Sequence, residues 1–149
     1  MDIGEMNPGI YVKKLWFDED VVELQINVCD GNSLFSNKVY VGHQELDDLI
    51  TGLNIFREHV YGGIYNIRFG EFGPEYARGA FRARLHFREH SKIYITIKAQ
   101  SEFEEFGRQN VASEATLYLI SEPILLDNFI ADLRALKAGL RDEAKLEAA

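Results

Sequence analysis

The order of periodicities along the chain predicts a single α+β domain: a mainly antiparallel β-sheet of about six or seven strands with two helices packed on it. Three observations carry this. Several short segments alternate apolar and polar residues, as where Val22, Leu24, Ile26 and Val28 interleave with Glu23, Gln25, Asn27 and Cys29. Two longer segments instead space their apolar residues by three and four, the mark of one helix face. Finally, strands follow one another directly, without the regular strand–helix alternation of a parallel nucleotide-binding sheet.

Residues 1–9 read as a loose leader, with Pro8-Gly9 as a turn. Strands are expected over 10–17 and 21–29, and Trp16 is placed in the core from the first of them. The run Asp30-Gly31-Asn32-Ser33 is a turn signal before a third strand, 34–41. Leu46, Leu49, Ile50, Leu53, Phe56 and Val60 then mark a helix that begins near Gly42-His43 and stops by Gly62-Gly63. Glu45, Asp47 and Asp48 favour its dipole in the early turns. Gly52, inside this helix, costs about 1 kcal/mol relative to Ala, so close packing against the sheet is the expected reason for it.

A short strand at 64–69 and a loop at 70–74 lead to the clearest strands, 80–88 and 93–100. Residues 101–113 are polar and read as a loop or a short helical turn. The last strand is expected at 115–120. Ser121 then caps a second helix with Pro123 in its first turn, and Leu125, Phe129, Ile130, Leu133 and Leu136 form the buried stripe. On this reading the domain spans 10–139, Gly139 ends the ordered core and 140–149 is a frayed tail.

Bulk properties exclude several functions. The 149 residues suffice for a real core, and 46% hydrophobic with 27% charged residues is ordinary for a globular protein. A net charge of −8 argues against nucleic acid as a direct ligand and suits a basic protein partner. The lone Cys29 permits no internal disulfide and no cysteine-based zinc knuckle. The first ten residues lack a secretion signal and no apolar run approaches membrane-spanning length, so a cytoplasmic protein is expected.

One segment spells a catalytic motif. RLHFREH, residues 84–90, contains H-x-x-E-H, the inverzincin form of a zinc-protease signature. Such a motif needs a helix, where residues four apart share a face. Here Phe81, Ala83, Leu85 and Phe87 alternate with Arg82, Arg84, His86 and Arg88, which is the period of a strand. Residues four apart on a strand lie roughly 13 Å from each other, too far for both imidazoles to reach one ion. The expectation is therefore a strand, with His90 in a hairpin turn and no metal. The following strand puts Ile93, Ile95, Ile97 and Ala99 on its apolar face. Placing both apolar sets together requires pairs such as Leu85 with Ile95, whereas a plain two-residue turn at His90-Ser91 would oppose Phe87 to Tyr94. An odd connection or a bulge is thus predicted.

No other chemistry emerges. A nucleophile elbow, a P-loop and a dinucleotide fingerprint are all lacking, Cys29 reads as a sheet residue, and His43 and His59 lie toward opposite ends of the first helix. Neither catalytic residues nor a cofactor is expected. Two surfaces remain as binding candidates. Glu71, Glu75 and Tyr76, with Glu102, Glu104 and Glu105, mix acids and aromatics on the two least regular loops and could dock a basic protein; solvated loops are the plain alternative. Arg82, Arg84, His86 and Arg88, with Lys98 nearby, form a basic row that is either a solvated sheet face, a surface for an anion or acidic partner, or a partner for internal acids such as Glu23. Stacking aromatics for nucleic acid are not evident there, because Phe81 and Phe87 point the other way.

The layout resembles the small bacterial immunity proteins of polymorphic toxin systems, in particular the WapI-like group. The features that carry it run over residues 10–138: a strand ending in VYV (39–41), the helix HQELDDLITGL, the paired strands ARLHF and KIYITIK, and TLYLISE leading into LLDNFIADLRAL. The connection GRQNVAS departs from the pattern. The resemblance implies a non-enzymatic protein that binds a cognate toxin domain, often a basic nuclease, and blocks its active site or substrate groove, as in contact-dependent inhibition. A small-ligand or peptide-binding module, using the cleft between sheet and helix or the arginine row, is the alternative.

Overall fold

The computed structural model describes residues 6–76 and 78–149. Ten strands and two helices are present among them, and every strand pairing is antiparallel. β1 (Gly9–Phe17), β2 (Val21–Cys29), β3 (Leu34–Gly42) and β10 (Glu143–Glu147) make one sheet in the order β10-β1-β2-β3. β4 (Ile64–Phe69), β5 (Ala80–Glu89), β6 (Lys92–Gln100) and β9 (Glu114–Ser121) make a second, in chain order. β7 (Glu104–Phe106) and β8 (Gln109–Val111) form a small hairpin, while α1 spans His43–Arg57 and α2 spans Pro123–Lys137. The domain is α+β as expected, with its long strands divided between two sheets.

A single hydrophobic cluster holds it together. Ile26 and Val39 from the first sheet, Leu85 and Ile97 from the second, Leu53 from α1 and Phe129 from α2 all belong to it and are almost wholly buried. The helices run antiparallel, since Arg57 at the end of α1 meets Asp127 in α2 (2.8 Å) and Asp47 near its start meets Lys137 (3.3 Å). The sheets are stitched at both sides. Asn37 Nδ2 of β3 donates to the carbonyls of Ala80 (3.1 Å) and Gln100 (2.9 Å), and Ser121 Oγ of β9 donates to the carbonyl of Glu147 (2.7 Å).

The hairpin parity argument holds. Leu85 opposes Ile95 and Phe87 opposes Ile93, then a bulge at Arg88 lets Glu89 oppose Lys92 across the turn His90-Ser91. Without that extra residue the apolar sets would face opposite sides. Gly52 also behaves as expected: a Cβ there would come within 2.6 Å of Tyr65 Cζ on β4.

Several expectations are corrected. Residues 143–147 are not a frayed tail, because they pair with β1 from Glu143↔Lys13 to Glu147↔Gly9 and bury Ala144 and Leu146. Of the predicted leader, Gly9 already belongs to β1; residues 1–5 lie outside the described residues. Trp16 is 43% exposed, since a bulge between Lys14 and Trp16 turns it to the face opposite the core. Ser121 lies in β9, and Glu122 takes the cap position of α2. The buried stripe of that helix uses Leu126 in place of Leu125. Residues 101–113, read as a loop or helical turn, contain the β7–β8 hairpin.

Candidate functional site

Strand register decides which loops become neighbours. Phe69 opposes Phe81, Ala80 opposes Gln100, and Gln100 opposes Glu114. The connection 70–79 and the connection 101–113 therefore leave the second sheet at the same end, where β3 also abuts. Both are acidic loops.

Arg78 joins them. Its Nη2 lies 2.9 Å from Glu23 Oε2 on β2, and its Nη1 donates to Glu102 Oε2 at 3.2 Å. The guanidinium also lies 5.3 Å from the Tyr40 ring centroid. Glu23, only 4% exposed, accepts the Trp16 indole N–H at 3.0 Å through its other oxygen. The bulge that exposes Trp16 also sets it beside Glu23, and Trp16, Glu23 and Tyr40 are successive cross-strand neighbours on the outer face of the first sheet. A buried carboxylate must be paired or hydrogen-bonded, and Glu23 is both. Its cation comes from the loop, not from the arginine row.

Two grooves flank Arg78. One, of about 250 Å³, is lined by Tyr40, Glu45, Glu71 and Tyr76. The other, of about 230 Å³, is lined by Gln25, Lys38, Glu102 and Glu104. The structure thus brings Glu71, Tyr76, Glu102 and Glu104 around one arginine. Glu75 folds back toward Gly73, and Glu105 sits on β7 opposite Asn110, lining neither groove. Tyr76 lines the first groove with its ring 45% exposed, and Phe106, 72% exposed, follows Glu104 and Glu105 on β7. Arg78 and Tyr40 were not singled out from the sequence, and Glu23 was named only as an internal acid for the arginine row, whereas its cation is Arg78. The available signal was Glu23 itself, an acid in an apolar strand flanked on both sides.

The basic row occupies another face. Arg82, Arg84, His86 and Arg88 lie on β5 with side chains away from the core, and Arg88 stands 4.7 Å over the Tyr94 ring. His86 and His90 are on a strand and in its turn, not on the helix a zinc motif requires, and no cluster of three metal-ligating side chains occurs among the described residues. Cys29 is buried, with the Gly31 N–H directed at its sulfur (3.4 Å). His43 and His59 are each engaged with a backbone carbonyl, those of Asp18 and Ile55. No helix among the described residues is long and apolar enough to cross a membrane.

This arrangement can hold a partner through charge and exposed rings. Comparison with family models, curated proteins and solved structures found no match to the chain.

Proposed function

We propose that this chain is an immunity protein: a non-enzymatic, cytoplasmic binder that neutralises a basic toxin domain, a nuclease being the toxin that best complements its charge. The observation that carries the reading is the convergence of two acidic loops around Arg78 at one end of the molecule. There Glu71, Glu102 and Glu104 gather with the exposed ring of Tyr76, and Phe106 is exposed two residues beyond Glu104 on β7. Acids speed the encounter with a basic partner and restrict its identity, while aromatic side chains anchor the contact. The order of elements over residues 10–138, which resembles the WapI-like group, supports the same reading.

The test is co-expression with the toxin domain encoded beside this gene. Cells should survive, and the two proteins should elute as a one-to-one complex. Replacing Glu71 and Glu104 together by Lys should abolish both effects while leaving the fold intact. Failure of the unaltered protein to protect would refute the reading, and protection undiminished by the double replacement would remove the loops from it. The alternative, a small-ligand module, has a groove of about 740 Å³ on the basic sheet face in its favour.

A further inference from the structure

The outer face of the second sheet carries a cost that the fold does not explain. Register sets Arg68, Arg82 and Lys98 directly opposite one another on β4, β5 and β6. Neighbouring strands are about 4.8 Å apart, and like charges opposed across strands destabilise a sheet. Arg84 and Arg88 share this face, and none of the five cations makes an ion pair among the described residues. Five of the chain's 16 Lys and Arg residues are thereby gathered on one face of a protein with net charge −8. The side chains of Asp30 and Glu114 border it, and both are engaged. Glu114 accepts from Gln100 Nε2 at 2.7 Å, and Asp30 Oδ1 accepts the N–H groups of Asn32 and Ser33.

Aromatic rings are interleaved with these charges. Tyr118 of β9 shares a cross-strand row with Arg84, separated from it by Thr96, and is 68% exposed. Tyr94 lies opposite His86 and carries the Arg88 guanidinium over its ring. Phe81 and Phe87 do face the core, but the rings on the neighbouring strands supply what the arginine strand lacks. A groove of about 740 Å³ runs between Arg84, Arg88 and Tyr118 and the segments at Pro8, Asp30 and Ala148. That is the volume of a small-molecule site. The cations continue beyond it, however, and Arg82 to Arg88 span roughly 20 Å of strand, more than a single phosphate can address.

We infer that this face binds single-stranded nucleic acid, with phosphates along the arginine row and bases stacked on Tyr118 and on the Arg88–Tyr94 pair. Regular charge with planar rings between is the recognition chemistry of a single strand. An acidic peptide would satisfy the cations and leave Tyr118 unused, and a duplex keeps its bases stacked inside. The overall negative charge weakens any polyanion contact, but screening within about 8 Å at physiological salt lets the local surface dominate. The inference goes beyond the acidic-loop reading and stands apart from it.

The experiment is fluorescence anisotropy of a labelled twelve-nucleotide single-stranded RNA of mixed sequence, titrated with the full chain. Saturable binding is expected at 50 mM salt, and neutralising four or five phosphates predicts a roughly 50- to 130-fold loss of affinity by 200 mM. Tyr118→Ala should weaken binding roughly tenfold or more, while Tyr118→Phe keeps the ring and the affinity. Replacing Arg82 and Lys98 by Ser should flatten the salt dependence, with melting curves showing that each variant is folded. Absence of binding at 50 mM salt overturns the inference. So does equal affinity for a duplex of the same sequence, or displacement by polyglutamate at equal charge, which would assign the face to an acidic protein.

Discussion

Replacing Leu146 with Ala tests whether the last strand is part of the core. Leu146 is 1% exposed and sits opposite Ile10, itself 1% exposed, within the cluster that both sheets share. Truncating a buried Leu to Ala costs about 2–5 kcal/mol, through lost transfer energy and the cavity left behind. A value near 3 kcal/mol fits a site between a strand and α2, which can collapse only in part. With a urea slope of about 2 kcal/mol per molar, the midpoint should fall by about 1.5 M. The single Trp16, held by Glu23, gives the fluorescence signal, and far-ultraviolet circular dichroism gives the second probe. Glu143→Ala, an exposed change on the same strand, is the control and should stay within about 0.5 kcal/mol of the parent. Removing residues 140–149 should cost more still, because it also strips the bond from Ser121 to the Glu147 carbonyl and leaves β1 as an open edge. A Leu146→Ala midpoint indistinguishable from the Glu143→Ala control would refute the packing of β10.

Three further outcomes follow from named contacts. Gly52→Ala gains about 1 kcal/mol of helix propensity, but its Cβ would press on Tyr65; overpacking of about 1–3 kcal/mol should win, and a raised melting temperature would contradict this. Arg78→Ala leaves Glu23 buried without its cation; because the Arg78 side chain is 29% exposed, solvent screening reduces the usual 3–5 kcal/mol to about 1–2 kcal/mol. Adding Glu23→Gln should restore most of that loss, and strict additivity of the two changes would show that they do not interact. Asp18 and Asp30 are held below the usual carboxylate range, chiefly by backbone N–H groups of Val21 and Asp20 and of Asn32 and Ser33. Their contribution is complete above the unfolded-state value of about 3.9 and fades as pH falls through the lowered ones. The melting-temperature gap between the parent and an Asp18→Asn, Asp30→Asn variant should therefore narrow on acidification; a constant gap would exclude the effect.

Near-neighbour physics made much of this chain legible from its residues. Alternation along 80–88 and 93–100 requires strands, and comparing their parities requires an odd connection or a bulge, of which the structure has the bulge at Arg88. Three-and-four spacing places α1, and Gly52 inside it implies the close neighbour that proves to be Tyr65. The acidic loops and the arginine row could likewise be recognised as segments. Their surroundings could not, because these depend on which distant strands pair.

Residues 143–147, Glu-Ala-Lys-Leu-Glu, show the limit most clearly. Their local preference is helical, yet Ala144 and Leu146 alternate onto the core once β1 offers an unpaired edge. The reach of a few residues explains the rest. Periodicity tells a side chain which face of its own element it occupies, so the two helices, the long strands and the parity of the β5–β6 hairpin were determined by sequence alone, while β10 and the β7–β8 hairpin were not. Only the tertiary structure could divide the strands into two sheets, turn Trp16 toward Glu23, bring Arg78 between two acidic loops and set Tyr118 in line with Arg84. Each of those facts depends on how strands register or sheets pack, which the burial of one shared core selects and local periodicity does not specify.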